Sequence, residues 1–242
     1  MSPLLTSVLT GEITVGEHPR FTLFGLGVNR DTVVSTLVAA GVILAAAIWM
    51  RLTVGEDGVP GKLQLAFEAL VRYIEDLVDE AMGIKAPPFV VPLGVVLFAF
   101  ILIANYVEVL PTHETLIAPT SDINLPAALA VFVVGLAHVV GIKRKGPFGY
   151  LKSFMGAPYW LIPFRGIEEV AKPLSLALRL FGNLFAGGLM IALIGLLPSH
   201  FIVVPVTAFW ELFDMFIGLI QALIFSLLTV VYMSAAVSEE GH

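Results

Sequence analysis

Five apolar runs between Thr32 and Val237 limit what this chain can fold into. A helical run of about 20 apolar residues matches the hydrocarbon core of a bilayer. Inside that core every backbone N–H and C=O must find its partner within protein, so such runs fold as helices. The runs cover 32–50, 89–107, 125–142, 167–197 and 201–237. Composition points the same way: 58% of the 242 residues are hydrophobic and 13% charged, with a mean hydropathy of +0.95. A soluble domain of this size has no use for so much apolar surface. The expected fold class is all-α: one polytopic membrane domain over 32–242, preceded by an extracytoplasmic segment over 1–31. No basic stretch precedes an apolar one at the start, the first basic residue being Arg20, so no secretory leader is read there.

The last two runs are longer than a bilayer requires. A helix over 201–237 reaches about 55 Å, against a core of roughly 30 Å, so it must tilt or break. Only Pro198, Ser199 and His200 separate the two runs, which makes them an antiparallel hairpin. The loop after the first run carries Arg51, Lys62, Arg72 and Lys85; the loop after the third carries Lys143, Arg144, Lys145 and Lys152. The loop over 108–124 has no Lys or Arg. Basic loops stay in the cytoplasm, which puts the N-terminus outside and the C-terminus inside. Within the first basic loop, Leu63, Phe67, Leu70, Ile74, Leu77, Val78 and Ala81 recur at helical spacing, with acids between them. This stretch, 62–82, reads as an amphipathic helix on the cytoplasmic membrane surface, available to dock a partner.

Several function classes drop out. The net charge is −6, with no basic tail or stripe, which excludes nucleic acid as a partner. There is no cysteine for disulfide, thiolate or metal chemistry. No nucleotide-binding glycine loop, HExxH or nucleophile elbow is present, so the chain should not hydrolyse ATP by itself, and no cofactor or metal is expected.

The polar residues inside the apolar runs are few. Arg179 lies in the fourth run, and its nearest acid in sequence is Glu169. A cation at bilayer depth costs about 2.5–3.5 kcal/mol on insertion scales and marks a function by default. Ser175, Arg179 and Asn183, spaced by four, form one stripe. Small residues beside them, Gly182, Ala186 and Gly187, would admit another helix. In the fifth run Glu211, Asp214, Gly218 and Gln221 share a second stripe, fit for a hydrated proton path on the outer side. Glu168 and Glu169, with Lys172, stand at the cytoplasmic start of the fourth run and suit an inner-side path or an interface cluster. Two water paths meeting only at a cation would conduct an ion without an open pore. Asp122 and Asn124 are expected to cap the third run. Asn105, Glu108, His113 and His138 read as interfacial or packed, and Tyr232 and Trp210 as candidate interfacial anchors, Trp210 rather deep for one.

The runs KPLSLALRLFGNLFAGG (Lys172–Gly188) and LIQALIFSLLTVVYMSAA (Leu219–Ala236), with PTSDIN (Pro119–Asn124), resemble subunit a of the F-type ATP synthases. That resemblance implies a membrane stator of the bacterial plasma membrane, beside a rotating c-ring and joined to b-type peripheral-stalk and other ATP synthase subunits. It implies two half-channels and an arginine, here Arg179, that attracts the deprotonated ring carboxylate and blocks a direct leak. Asn183 and Gln221 match residues that the family keeps beside that arginine. Two positions depart from a common bacterial pattern. Many members carry Glu where Gly188 stands and His where Asp214 stands. Asp214, or Glu211 one turn away, is then the acid of the outer path. The rival readings are a self-contained secondary transporter or channel, with an internal acid partner for Arg179, and a structural anchor for peripheral subunits.

Overall fold

The computed structural model describes residues 20–23, 26–53, 61–83, 86–107, 119–155, 162–198 and 200–237. Among the described residues a short antiparallel hairpin, β1 (Arg20–Leu23) and β2 (Leu26–Asn29), comes first. Six helices follow: α1 (Arg30–Thr53), α2 (Lys62–Met82), α3 (Val90–Tyr106), α4 (Asn124–Met155), α5 (Ile162–Gly195) and α6 (His200–Val237). A 3₁₀ turn over Pro119–Ser121 leads into α4. The fold is therefore the all-helical membrane fold that the apolar runs dictate. Four helices are long and apolar enough to cross a bilayer, and α3, at 17 residues, is a shorter apolar one. The β hairpin was not expected; it lies outside the apolar runs, where alternation is too short to read.

Neither long helix breaks. α5 runs 34 residues through Pro173, and α6 runs 38 residues through Pro205. Helices of about 50 Å or more cannot stand upright within a core of roughly 30 Å. The two are antiparallel: Gly187 faces Asp214, while Lys172 and Tyr232 line one cavity towards the opposite end.

α6 is the element on which the others pack. At one end Ile74 and Val78 of α2, Val90 and Val95 of α3, Ala137 and Val140 of α4, and Val230 and Met233 of α6 form a buried cluster. A second cluster joins Leu97 and Ile101 of α3, Ala130 and Val133 of α4, Leu176 and Leu180 of α5, and Ala222 and Phe225 of α6. Lipid tails are as apolar as leucine, so helices in a membrane gain from close fit and hydrogen bonds instead. Gly94 supplies such a fit. A Cβ there would stand 3.0 Å from Ile74 Cγ2, and Ser226 Oγ donates to the Gly94 carbonyl at 2.9 Å. At the other end Asn105 Nδ2 donates to the Gly218 carbonyl at 3.2 Å and Thr120 Oγ1 donates to Asn105 Oδ1 at 3.0 Å, fastening the 3₁₀ turn against α3 and α6. Asp122 accepts the Asn124 backbone N–H at 3.1 Å, the expected cap, and also Asn29 Nδ2 at 2.6 Å and Thr32 Oγ1 at 2.7 Å. One carboxylate thus ties β2 and α1 to the start of α4. Asn124 itself donates to that carboxylate and does not act as a second capping acceptor.

α1 is the least embedded helix: only 11% of its apolar stretch is buried, against 39% for α6. Between α1 and the rest lies an apolar cavity of about 590 Å³, lined by residues such as Ile43, Leu70, Phe98 and Leu223. α4 bends sharply at Gly146 (φ 72°, ψ 160°), a left-handed position where a side chain would strain the backbone, and Pro147 follows.

The tight contact at Gly94 generates a prediction. Gly94→Val should separate α3 from α2 and α6 and lower the thermal unfolding midpoint of the purified protein, overpacking of this kind costing about 1–3 kcal/mol. An unchanged midpoint would contradict the packing described.

Candidate functional site

Arg179 does not point into the bundle. It is exposed on α5, where Leu174 and Leu178 are also 55% and 47% exposed. Among the described residues it makes no ion pair and no hydrogen bond, and neither Glu211 nor Asp214 is bonded to it. Ser175 is exposed on the same stripe, and Asn183 is half-buried one turn further on. The guanidinium is thus presented outward on an apolar surface, where lipid cannot satisfy it.

The stripe on α6 turns the other way. Asp214, Gly218 and Gln221 are buried, and Glu211 is half-buried. The register follows from the Gly187–Asp214 contact: eight residues back along α5 is Arg179, and eight forward along α6 is Ala222, beside Gln221. Asn183 Nδ2 and Gln221 Nε2 are buried donors without a hydrogen-bond partner among the described residues. Leaving such a donor unpaired costs about 1–3 kcal/mol. Two amide donors thus lie unpaired on α5 and α6, the helices that form the hairpin bearing Arg179.

Asp214 lies against Gly187. A Cβ at that glycine would meet the carboxylate oxygens at 3.0 and 3.2 Å, and Trp210 Nε1 donates to the Gly187 carbonyl at 3.3 Å. Trp210 is therefore a helix–helix clamp, not an interfacial anchor. Gly187 was read from sequence only as a small residue admitting another helix; here it makes room for an acid.

Glu168 and Glu169 belong to a different group at the opposite end of α5. Lys172 Nζ donates to Glu169 Oε1 at 2.6 Å and stands 3.4 Å from Glu168 Oε1. His138 Nε2 is 3.4 Å from Glu169 Oε2, and His138 Nδ1 bonds the Tyr150 hydroxyl at 2.5 Å. These groups, with Lys145, Arg165 and Tyr232, line a polar cavity of about 270 Å³ between α4, α5 and α6. Glu168 is the outlying member, its side chain 65% exposed against 24% for Glu169. Two readings from sequence change here. His138 was taken as interfacial or packed and Tyr232 as an anchor, yet both line this cavity. Tyr150 went unnoticed, because it reaches His138 only through the bend at Gly146, which helical periodicity does not see; the adjacent Gly146 and Pro147 were the available signal. Glu108 and His113 lie outside the described residues.

Known proteins decide which family holds such a set. The ATP synthase A chain family profile matches residues 33–234. The chain is 46% identical over 247 residues to ATP synthase subunit a of Mycobacterium marinum, covering 98% of both chains. It is 45% identical to that of Mycobacterium tuberculosis, again over 98% of each. With subunit a of Bacillus subtilis the identity is 34%, over 89% of this chain and 95% of the relative.

The chain belongs to the ATP synthase A chain family. It is a multi-pass membrane subunit of the F-type ATP synthase, the proton-translocating stator subunit of the membrane sector. It is not a catalytic subunit, and its partners are other subunits of that synthase.

A second prediction comes from the Gly187 contact. Gly187→Ala should displace the Asp214 carboxylate and slow proton flux through the assembled synthase, by about tenfold, while Gly182→Ala, where a Cβ meets open space, should act much more weakly. Proton flux into vesicles carrying each variant checks this; equal effects would remove the Asp214–Gly187 contact from the path.

Proposed function

We propose that Arg179 is the group on which proton transport by this subunit turns. The supporting observation is its exposure, on an apolar helix face, without a counter-charge among the described residues. A guanidinium never releases its proton at working pH, so it cannot relay one. It can attract a carboxylate brought to it by another chain and keep two proton paths apart. The partner that this chemistry requires is a ring of c subunits, each offering an acid at membrane depth, moving past α5 and α6. A proton enters by one half-channel, neutralises a ring carboxylate and travels round with it. It leaves by the other half-channel once Arg179 favours the charged form.

Asn183 and Gln221 would hold the arriving carboxylate beside Arg179, with Ser175 on the same stripe. Asp214 and Glu211 would carry the outer path; Glu169, with Lys172 and the more exposed Glu168, the inner one. The basic residues Lys143, Arg144, Lys145 and Arg165 gather near the Glu169 end, which supports a cytoplasmic assignment for that end and an N-terminus outside the bacterial plasma membrane. On the same reading α2 lies on the cytoplasmic side. The exposed surface of α1 leaves room for the b-type peripheral-stalk subunits.

A self-contained transporter is the weaker reading, since it would pair Arg179 with an acid of its own chain. Arg179→Ala should abolish proton-driven ATP synthesis while the c-ring still co-purifies, and Arg179→Lys should fail as well, because a compact ammonium lacks the planar fork. Synthesis surviving in Arg179→Ala would sink the proposal and leave a structural anchor. For the outer path, Asp214→Asn should cut flux more than Glu211→Gln, being the buried member of the pair; wild-type flux in both would take α6 out of it.

A further inference from the structure

We infer that His138 is a proton-carrying group of the cytoplasmic-side path, positioned by Tyr150 across the bend at Gly146. The inference rests on the inner path proposed above and adds to it a residue on α4. The geometry comes from three features of this chain. First, Gly146 takes the left-handed conformation that lets α4 turn back on itself. Second, Gly141 has no side chain to obstruct the returning ring: a Cβ there would fall 2.5 Å from Tyr150 Cε2. Third, the Tyr150 hydroxyl then meets His138 Nδ1 at 2.5 Å, with the two rings edge to face, 6.0 Å apart and inclined at 76°. With Nδ1 held, Nε2 is left facing Glu169 Oε2 at 3.4 Å.

The surroundings suit proton transfer. Histidine is the one side chain whose ordinary titration lies between pH 5 and 8. The titratable groups that line its cavity are Lys145 and Tyr150 from its own helix, Arg165, Glu168, Glu169 and Lys172 from α5, and Tyr232 from α6; Val134, Ala137, Ala235 and Ala236 complete the wall. The cavity they line, about 270 Å³, has room for several waters.

The step balances without any outside reagent. A proton resting on the Glu169 carboxyl passes to an imidazole nitrogen; the O–H bond breaks and an N–H bond forms. Glu169 is left as a carboxylate, held by Lys172 at 2.6 Å. The imidazolium then gives one N–H proton to cavity water and returns to neutral. Run backwards, the same step admits a proton from the cytoplasm. Tyr150 takes no part in the transfer; it fixes the ring, and is a positioning residue.

The test uses the whole synthase in sealed vesicles, with proton flux read from a pH-sensitive dye and assembly from co-purification of the c-ring. His138→Ala should lower flux at least tenfold, and added imidazole should restore part of it. His138→Gln, which keeps a hydrogen-bonding side chain but carries no proton, should be as slow as His138→Ala. Tyr150→Phe keeps the ring over Gly141, should lower flux severalfold, and should cost nothing further when combined with His138→Ala. Wild-type flux in His138→Gln, or a slow His138→Ala that imidazole does not restore, overturns the proton-carrying role. Additive losses in the double variant overturn the positioning role. Glu169→Gln separates this from the underlying reading: if it too keeps full flux the inner path itself fails, whereas slow Glu169→Gln beside fast His138→Gln removes His138 alone.

Discussion

A permanently charged guanidinium on an apolar helix face is the constraint that the rest of this structure answers. Water would solvate Arg179 and an internal acid would neutralise it, but among the described residues no acid does so. The acids nearest in the fold are committed elsewhere: Asp214 lies against Gly187, and Glu169 is bound by Lys172. The bundle therefore carries an uncompensated cation at a cost of a few kcal/mol in lipid, which a partner's carboxylate would offset. The unpaired amides of Asn183 and Gln221 repeat the pattern, donors held ready beside a charge.

The polar groups are also kept apart. Along α5, Glu169 is ten residues before Arg179, about 15 Å, and Gly187 with its Asp214 contact is eight residues after it, about 12 Å. Between them lie Leu176, Leu180 and Leu184 on α5 and Ala222 and Phe225 on α6, all buried. On the reading proposed above, these buried apolar side chains are what separates the two paths. On that reading the two clusters would be joined over the exposed face at Arg179, where a cation repels a bare proton and a carboxylate could carry one in neutral form. Separation by packed apolar side chains and connection through a moving acid are two aspects of one design.

Much of this was legible in the sequence, for identifiable reasons. Membrane helices announce themselves because the bilayer forbids unpaired backbone, so apolar length alone locates α1, α4, α5 and α6. The stripes Ser175–Arg179–Asn183 and Asp214–Gly218–Gln221 follow from helical periodicity within one segment. What periodicity cannot reach is contact between segments or across a bend. Tyr150 joins His138 only because Gly146 breaks the helix, and Gly187 meets Asp214 only because the hairpin register brings them together. Asn105 read as interfacial or packed, and it is packed: its amide is buried where Gly218, on another helix, leaves space for it. In each case a glycine, on the same helix or on a neighbouring one, makes room for the contact.

The Asp214–Gly187 contact also gives physical content to the departure at 188 and 214. In the resemblance drawn from sequence, many members carry Glu at the position of Gly188 on α5 and His at that of Asp214 on α6. Here the α5 side carries two glycines, Gly187 and Gly188, and the acid sits on α6. A Cβ at 187 would lie 3.0 Å from the Asp214 carboxylate, so a side chain there would require that carboxylate to shift. Proton conduction depends on where a carboxyl lies, not on which helix bears it, and a backbone with no side chain on one strand of the hairpin lets the other supply the group.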